Sequence, residues 1–483
     1  MSFKLLCLII IIYQLNFFHC SEIVSLPFNS YFKYGSKTTC TSIDDLAQNN
    51  IYSSINIGEP SEGIKAFISV LHSYFSINQN YLSKSINDFN SHYEFNKSNT
   101  FQNIASNITN LNDYNSAAKE KIELNIFNSK TKKYYNISID DMIFIYNDNN
   151  KNKDISNTYY LNIGFQIIGQ KKLKEREQYN FIYQLKKRNI IKNYDWCIFF
   201  EKGNNNNGIF LYNPDELINA RGQLLIGDLP DSYNPNFNNK QLLSTYSIYS
   251  DYIFKWALEF SNIYYNNSIN ETQKIDVYDV QLNINSYVIL APMIYYYKIR
   301  RDFFDYYLSK KICNSYQGSE YKTFYCEKSE NFTIEDLKKF PTLYMTHKEF
   351  QYTFEFTYED LFIEKNNKYW FMIALSAFNT DLDEWFMGII FLRKYNLVFN
   401  QDSKTISFYN PNIPISTDKK QEINNNTNNS SRYIIIILII IIFAIIIIII
   451  IRIFFFKNIF TASKNKKRIN HIYENFDYNY KIN

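Results

Sequence analysis

The strongest constraint on the fold is a strand–turn–strand pattern between residues 55 and 77. Apolar side chains alternate with polar ones from Ile55 to Ile57 and again from Ile64 to Ile68, and Gly58–Pro60 supplies a turn between the two runs. The chain is expected to bend again near Leu71–Ser73, before a third short run. Because a period of two places every second side chain on one face of a sheet, this stretch predicts paired β-strands.

Strand-like runs dominate the rest of the chain, and helical patterns are short. A chain of 483 residues with 43 Tyr and 41 Phe can bury a large core and form two lobes. The clearest further predictions are a hairpin of Lys121–Phe127 with Tyr134–Ile139, a strand that enters a turn at Gly222–Asp228, a helix over Tyr179–Ile191, and capped helices that begin at Thr333 and Thr357. Together these patterns predict an all-β fold.

Both ends of the chain carry apolar segments. Residues 1–20 combine Lys4 with a short apolar run and predict a cleaved secretory signal peptide. Residues 433–456 are almost wholly Ile, Leu and Phe, and they are long enough to form one transmembrane helix. Basic residues follow at once, so the positive-inside rule predicts a cytosolic tail at 457–483. The chain is therefore expected to be a single-pass type I membrane protein with a lumenal or extracellular ectodomain.

Between these two ends we expect three segments. They are an N-terminal segment at 21–49, an ectodomain at 50–412 with lobes at about 50–225 and 226–412, and a polar juxtamembrane linker at 413–432.

The charge pattern does not favour a nucleic-acid partner. The net charge of +4 is small for the length, and no basic patch carries interleaved aromatic residues. Cys and His residues do not occur at a zinc-binding spacing. The sequence therefore predicts no metal, no cofactor and no nucleic acid.

The six cysteines suit an oxidising compartment without forming a dense disulfide framework. Cys313 and Cys326 are close in sequence and flank a polar loop, so we expect them to form a disulfide. Cys40 and Cys197 could pair across the fold or remain buried thiols.

Sequons for N-glycosylation precede the apolar C-terminal segment, on the side expected to be lumenal or extracellular. The acceptor residues are Asn96, Asn107, Asn136, Asn266, Asn270, Asn331, Asn425, Asn428 and Asn429.

Several stretches, taken in chain order, resemble the pepsin-like aspartic peptidases. The most specific is Trp385–Asn400, WFMGIIFLRKYNLVFN, which is similar to the segment that leads into the final hairpin of that family. Weaker similarities, in the same order as in the family, occur at Gly58–Pro60, Ile167–Gln170, Tyr179–Ile191, Gly222–Gly227 and Val288–Pro292. The resemblance covers roughly residues 50–410 and implies a bilobal pepsin-like fold, in which each lobe contributes one central loop to a long cleft.

The two catalytic aspartates of that family have no counterparts here. On the family pattern, Ser69–Leu71 occupies the first Asp-Thr/Ser-Gly position and Asn283–Asn285 the second. In the family two carboxylates share one proton and act on a water molecule, which neither Ser69 nor Asn283 can do. The tyrosine of the lid hairpin is also missing, and Tyr134 or Tyr135 could replace it only by position. The resemblance therefore implies an inactive relative.

Two other sets of residues could carry chemistry. Ser69 and His72 could form a nucleophile and a base, but there is no third member and no nucleophile elbow. Asp381, Asp383 and Glu384 form an acidic cluster, which is more typical of a solvated loop than of acid–base catalysis.

We therefore expect a membrane-anchored protein, similar to aspartic peptidases but catalytically inactive, that binds an extended peptide or another protein in its cleft. Two alternatives stay open. The chain could be an active aspartic endopeptidase with atypical catalytic residues, or a glycosylated surface protein that uses the fold as a scaffold.

The predicted topology can be tested with a tag placed after Asn483. Because residues 457–483 are expected in the cytosol, an antibody should detect the tag only after the cells are permeabilised. Staining of intact cells would contradict the type I orientation.

Overall fold

The computed structural model describes most of the chain between residues 22 and 414. The described residues are 22–32, 46, 49–70, 73–80, 98–111, 114–146, 158–166, 177–200, 221–248, 255–266, 272–275, 279–318, 321–376 and 384–414.

Strands account for most of the regular structure in these residues. Those of the first half are β1 (Glu22–Phe32), β2 (Asn49–Ile57), β3 (Glu62–Ser69), β4 (Phe75–Asn80), β5 (Gln102–Leu111), β6 (Tyr114–Asn128), β7 (Lys133–Tyr146), β8 (Thr158–Gly164), β9 (Asp195–Phe200) and β10 (Arg221–Ile226). Those of the second half are β11 (Leu242–Tyr246), β12 (Ala257–Glu259), β13 (Asn262–Asn266), β14 (Thr272–Ile275), β15 (Asp279–Leu282), β16 (Ile289–Ala291), β17 (Cys313–Gln317), β18 (Tyr321–Glu327), β19 (Thr342–His347), β20 (Tyr352–Phe356), β21 (Phe362–Lys365), β22 (Lys368–Phe371), β23 (Ile373–Ser376), β24 (Trp385–Met387), β25 (Leu397–Asn400) and β26 (Thr405–Tyr409).

The helices are short. They are α1 (Phe181–Lys187), α2 (Pro230–Tyr233), α3 (Tyr296–Ile299), α4 (Asp305–Ser309), α5 (Ile334–Leu337), α6 (Tyr358–Leu361) and α7 (Ile389–Lys394), with 3₁₀ turns at Glu177–Tyr179, Asn239–Gln241 and Met293–Tyr295 and a π-helical turn at Arg300–Phe304.

The strands form three sheets. A 13-stranded sheet has the order β11-β26-β25-β9-β10-β1-β2-β3-β8-β4-β7-β6-β5. A 9-stranded sheet has the order β12-β15-β24-β16-β23-β18-β22-β21, with β17 on β18, and a 4-stranded sheet has the order β14-β13-β19-β20. Each half of the chain thus builds its own sheet structure, and the final hairpin β25–β26 returns to pair with β9 of the first half. This arrangement agrees with the all-β, bilobal prediction.

The strand–turn–strand prediction at the start of the first lobe is confirmed. β2 and β3 pair antiparallel, with Ile51 opposite Ile68 and Ile55 opposite Ile64. The side chains of Ile64 and Ile68 are buried, whereas Lys65 between them is partly exposed. The period of two therefore marks the buried face of the sheet.

Helix α1 is shorter than the predicted Tyr179–Ile191. Asn189 adopts a left-handed conformation, with a φ of 57°. Its N–H donates to the Lys186 carbonyl, and the Ile190 N–H donates to the Leu185 carbonyl, which is the hydrogen-bond pattern of a Schellman C-cap. Helical spacing of apolar residues continues past this point in the sequence, but the cap ends the helix at Lys187.

Other local predictions are confirmed. Thr333 and Thr357 each form a capping box at the start of a helix. The predicted hairpin corresponds to parts of β6 and β7, and β10 leads into a turn at Gly227, whose φ is 113°.

The predicted disulfide is present. Cys313 and Cys326 lie opposite each other in the β17–β18 pair and are covalently linked. Cys197 is a free thiol, 1% exposed in β9, while Cys40 lies outside the described residues.

Several of the predictions concern the two ends of the chain. The signal peptide (1–20), the linker from residue 415 onward, the apolar segment (433–456) and the tail (457–483) lie outside the described residues. Within the part of the chain that the structure describes, no helix is both long and apolar enough to cross a membrane.

The predicted glycosylation acceptors fall into three groups: exposed residues, residues placed in strands, and residues outside the described part of the chain. Asn136 in β7 and Asn331 beside α5 are exposed, so both are sterically available for a glycan. Asn107 and Asn266 lie in β5 and β13. The acceptors outside the described residues are Asn96, Asn270, Asn425, Asn428 and Asn429.

His347, at the end of β19, is a buried titratable group. It is 1% exposed, and its ring stacks on Phe350 with ring centroids 4.2 Å apart. Its Nδ1 accepts a hydrogen bond from the Phe350 N–H at 3.2 Å. Burial lowers the pKa of His347 to about 4, an effect only partly opposed by the carboxylate of Glu349.

This pKa predicts a pH dependence of stability. The unfolded chain binds a proton at His347 near pH 6.5, whereas the folded chain does so only near pH 4. The free energy of unfolding should therefore be insensitive to this group above pH 6.5 and should fall as the pH is lowered to 4, by up to about 3 kcal/mol. Chemical unfolding of the wild type and of His347→Asn, which keeps an acceptor, should diverge in slope over this window. Parallel pH profiles would contradict the prediction.

Candidate functional site

The first candidate loop begins at Ser69, the last residue of β3. β3 runs parallel to β8, with Ser69 opposite Gly164, and the Phe165 N–H donates to the Ser69 carbonyl at 2.7 Å. Ser69 and Val70 are 6% and 4% exposed. The chain therefore leaves β3 at a buried position next to the end of a parallel strand.

Helix α1 holds this loop through its N-cap. The side-chain amide of Asn180 donates to the Ser73 carbonyl at 2.8 Å and to the Gly164 carbonyl at 3.4 Å. Its Oδ1 accepts from the Tyr183 N–H at 3.3 Å, which caps the helix. Asn180 is fully buried, so one side chain joins the loop, the neighbouring strand and the helix. The sequence pattern marked the helix but not this residue.

The second candidate loop begins at Asn283, directly after β15. β15 runs parallel to β24, with Leu282 opposite Met387, and the Asn283 N–H donates to the Met387 carbonyl at 2.8 Å. Asn283 Oδ1 accepts from the Asn285 N–H at 2.9 Å, which closes a local turn. The Ile389 N–H, at the start of α7, donates to the Ser286 carbonyl at 2.6 Å. This loop is thus fixed by β24 and α7.

The two loops share one plan. Each loop follows a strand that has a parallel neighbour, and a glycine marks the end of that neighbour. For the first loop the neighbour is β8, which ends at Gly164, and for the second it is β24, which is followed by Gly388. Ile167–Gln170, one of the stretches that resemble the family, lies outside the described residues. The strand beside β3 is β8.

The second loop reaches the end of β3, next to the start of the first loop. The Asn285 side-chain amide donates to the Ile68 carbonyl at 3.3 Å, which joins the second loop to the residue before Ser69. The structure therefore brings together the two positions that the sequence predicted as equivalents of the catalytic loops.

Further hydrogen bonds cross between the halves beside this contact. The Trp256 Nε1–H donates to the Phe165 carbonyl at 2.7 Å, and the Gln401 Nε2–H donates to the Gln166 carbonyl at 2.7 Å. Both donors are about 1% exposed. We call these contacts, with that of Asn285, the interlobe seam.

A cluster of aromatic rings lies next to the seam. Trp196 stacks on Phe399 with centroids 4.2 Å apart and contacts Phe165 at 4.6 Å and Trp256 at 5.9 Å. The cluster combines residues from both halves, so the loops rest on a rigid, buried base.

The loops contain no acidic residue. From Gly63 through Asn87, and from Val280 through Arg301, the sequence has no Asp or Glu. A shift of the comparison by up to three residues in either direction would therefore not place a carboxylate at either loop position. Among the described residues, His, Cys, Asp and Glu side chains do not form a group of three or more that could hold a metal ion.

Of the alternative chemistry-bearing residues other than Ser69, only Glu384 lies within the described residues. Glu384 pairs with Lys255 at 3.5 Å and accepts a hydrogen bond from the side chain of Gln281. Burial, and then the carboxylates of Glu259 and Glu384, raise the pKa of nearby Asp279. The residues outside the described part are Leu71, His72, Asp381 and Asp383.

Tyr134 and Tyr135 each have a hydroxyl partner on another element. Tyr134 Oη lies 2.8 Å from Tyr233 Oη, and the Tyr135 hydroxyl donates to Glu22 in β1. Both tyrosines therefore tie the end of the β6–β7 hairpin to β1 and α2.

A cavity of about 420 Å³ lies apart from the loops. It is lined by Phe237, Tyr352, Glu355, Lys394, Tyr395, Asn396, Phe408, Tyr409 and Pro411, none of which belongs to either loop. Lys394 is already bound to Asp360 and to the Glu355 carbonyl, at 2.6 and 2.7 Å.

Solved structures with a similar fold exist. Basic 7S globulin from soybean matches with a TM-score of 0.50 at 10% sequence identity, over 80% of this chain and 96% of that chain. Conglutin gamma, a basic 7S globulin from lupine seeds, matches with a TM-score of 0.51 at 9% identity, over 80% of this chain and 94% of that chain. Neither a protein-family model nor a curated protein matches the sequence.

At this identity the likeness shows the fold alone. The chain has the bilobal all-β fold of these globulins. The fold implied by the sequence resemblance is confirmed to that extent.

The geometry of the second loop predicts a strict requirement for glycine at position 388. A Cβ atom there would lie 2.4 Å from the carbonyl oxygens of both Ser286 and Val288. Gly388→Ala should therefore lower the free energy of unfolding by about 1–3 kcal/mol or more.

Gly63 provides a matched control. A Cβ atom at Gly63 would have its nearest contact at 3.6 Å, on the side chain of Asn56. Gly63→Ala should change the free energy of unfolding by less than about 0.5 kcal/mol. Equal effects of the two substitutions in denaturant titrations would show that Gly388 does not support the loop.

Proposed function

We propose that the protein is a pepsin-like pseudopeptidase, anchored in a membrane by residues 433–456, that binds an extended peptide or protein segment in the cleft between its lobes. The observation that carries this proposal is the interlobe seam, where Asn285 of the second loop donates to the residue before Ser69, and the loops that begin at Ser69 and Asn283 hold no carboxylate. The ectodomain is lumenal or extracellular in this proposal, and residues 457–483 are cytosolic.

The chemistry of the loops argues against peptide hydrolysis. An aspartic peptidase needs one carboxylate to accept a proton from water and a second to hold a proton toward the scissile carbonyl. The Ser69 hydroxyl does not ionise in the working pH range, and the Asn283 amide does not exchange a proton usefully. Positioned acid–base groups commonly contribute about 10² to 10⁴ in rate each, so the loss of both removes measurable turnover.

The same groups suit binding. A hydroxyl and a carboxamide both donate and accept hydrogen bonds, as the backbone of an extended peptide requires. They remain neutral when water is excluded, so burying them under a ligand carries no penalty for desolvating a charge. The cleft floor is therefore compatible with a peptide that is held and not cut.

A second candidate function is that of a glycosylated surface protein that uses the fold as a scaffold. The exposure of Asn136 and Asn331 supports it, because both acceptors can carry a glycan without disturbing the core. The two functions differ in whether a ligand binds in the cleft, so a variant with an altered cleft can distinguish them.

Absence of activity is tested with the full-length chain in detergent. Assayed from about pH 3 to about pH 7 on denatured casein, it should show no cleavage that pepstatin blocks. The double variant Ser69→Asp, Asn283→Asp should not recover full activity, because Leu71 and Asn285 stand where the family has glycines. Pepstatin-sensitive cleavage by the wild type would establish the active-peptidase alternative.

Use of the cleft is tested with fluorescent peptides from a casein digest as probe. Asn283→Arg places a large cation at the half-buried start of the second loop and should weaken binding at least about tenfold, a loss of about 1.4 kcal/mol. Ser315→Arg, at an exposed position in β17, is the matched control and should bind as the wild type does. Equal binding by both variants would favour the scaffold function.

A further inference from the structure

An unusual surface follows the second loop. Three of the large hydrophobic side chains that the structure shows to be exposed lie within thirteen residues of one another: Ile294 is 58% exposed, Tyr297 75% and Tyr306 67%. Together with the exposed Arg301 they form what we call the tyrosine face. Exposed apolar groups clustered in this way are a recurring mark of an interaction surface.

The backbone places these residues on one side of a continuous helical run. In an α-helix, residues three and seven positions apart share a face, which groups Ile294, Tyr297 and Arg301. Tyr306 would lie about 120° away from Ile294 in a regular α-helix. The π-helical turn at Arg300–Phe304, in which the Asp305 N–H donates to the Arg300 carbonyl, adds a residue to the turn and brings Tyr306 back to the same side.

The opposite side of this run is fixed in the core. Ile299, Phe303 and Phe304 are 2%, 4% and 0% exposed. Phe304 stacks on Phe324 with centroids 4.3 Å apart. The tyrosine face is therefore held rigidly toward solvent.

The run is also basic. From Met293 through Lys311 it has five Lys and Arg residues against two Asp residues, a net charge of +3. The two acids pair locally, Asp305 with Arg300 at 3.3 Å and Asp302 with Arg301 at 2.7 Å. The exposed Lys310 and Lys311 extend the positive charge at the end of the run.

We propose that the tyrosine face lies on the lipid surface of the membrane that anchors the chain. Tyrosine suits the boundary between headgroups and acyl chains because its ring is apolar and its hydroxyl is polar, and Ile294 adds apolar contact. The basic side chains complement lipid phosphates. This inference rests on the membrane anchoring in the proposed function.

The length of the tether is compatible with this contact. Residues 415–432 can span up to about 60 Å when extended. A domain of this size has a radius of gyration of about 21 Å, so the extended tether is nearly three times that length.

A lipid surface fits better than a protein partner. A stable protein interface buries about 800 Å² on each partner and uses about 20–30 residues a side. The tyrosine face offers four side chains on one helical run, whereas insertion into headgroups needs no complementary surface.

The test compares the full-length chain in detergent and in vesicles by hydroxyl-radical footprinting with mass spectrometry. Tyr246 is 74% exposed and serves as the matched control. Labelling of Tyr297 and Tyr306, relative to Tyr246, should fall several-fold in phosphatidylcholine vesicles and further when phosphatidylserine is added. Unchanged ratios would overturn the proposal, and protection already present in detergent would assign the face to a protein contact instead.

Two variants separate this contact from anchoring. Tyr297→Glu combined with Tyr306→Glu should abolish the lipid-dependent protection of Ile294, whereas Tyr246→Glu should leave it intact. Both variants should still resist extraction by alkaline carbonate if residues 433–456 span the bilayer. Extraction of the wild type would refute the anchor and the lipid contact together, while retention without protection would refute only the contact.

Discussion

The interlobe seam is the contact on which the rest of the structure depends. At the ends of β3 and β8, backbone carbonyl groups of the first half accept hydrogen bonds from the second half at buried or partly buried positions. A buried carbonyl without a partner costs about 1–3 kcal/mol, so the second half stabilises the first by donating to these groups. The donors are Asn285, Trp256 and Gln401, and the acceptors are the carbonyls of Ile68, Phe165 and Gln166.

None of these donors titrates. In an active aspartic peptidase the corresponding centre holds two acids that compete for one proton, and the balance changes with pH. Here an uncharged carboxamide at Asn285 bridges the loops and an indole at Trp256 supports the contact. The seam is therefore independent of pH, and the pH dependence that His347 predicts arises well away from it in sequence, at the end of β19.

Local structure could be predicted from the sequence where it depends only on neighbouring residues. Alternation identified β2 and β3, and Thr333 and Thr357 marked helix starts, because each feature depends on residues within one strand or one turn. The extent of α1 was overestimated because apolar spacing outlasts the helix that Asn189 ends. The disulfide was also predictable, since Cys313 and Cys326 are close in sequence and share a hairpin.

Parts of the candidate site that depend on distant residues could not be found in this way. The pairing of β3 with β8 joins residues nearly a hundred positions apart, and no local pattern states which strand will be the neighbour. Asn180 was not marked by the helical pattern, although it caps the helix and its amide also reaches Ser73. The tyrosine face depends on one extra residue in a helical turn, which the spacing of side chains alone does not reveal.

The way in which the loops are built explains how such a fold can form without a carboxylate in either loop. The first loop is fixed by the Ser69 carbonyl and by Asn180, and the second by the Asn283 N–H and by the absence of a Cβ atom at Gly388. All of these are backbone hydrogen bonds, caps or steric limits, and a carboxylate contributes to none of them. In an aspartic peptidase the acids are costly to bury and are retained for the reaction. A serine or asparagine at those positions is compatible with every constraint that holds the loops, so the fold does not require a carboxylate there.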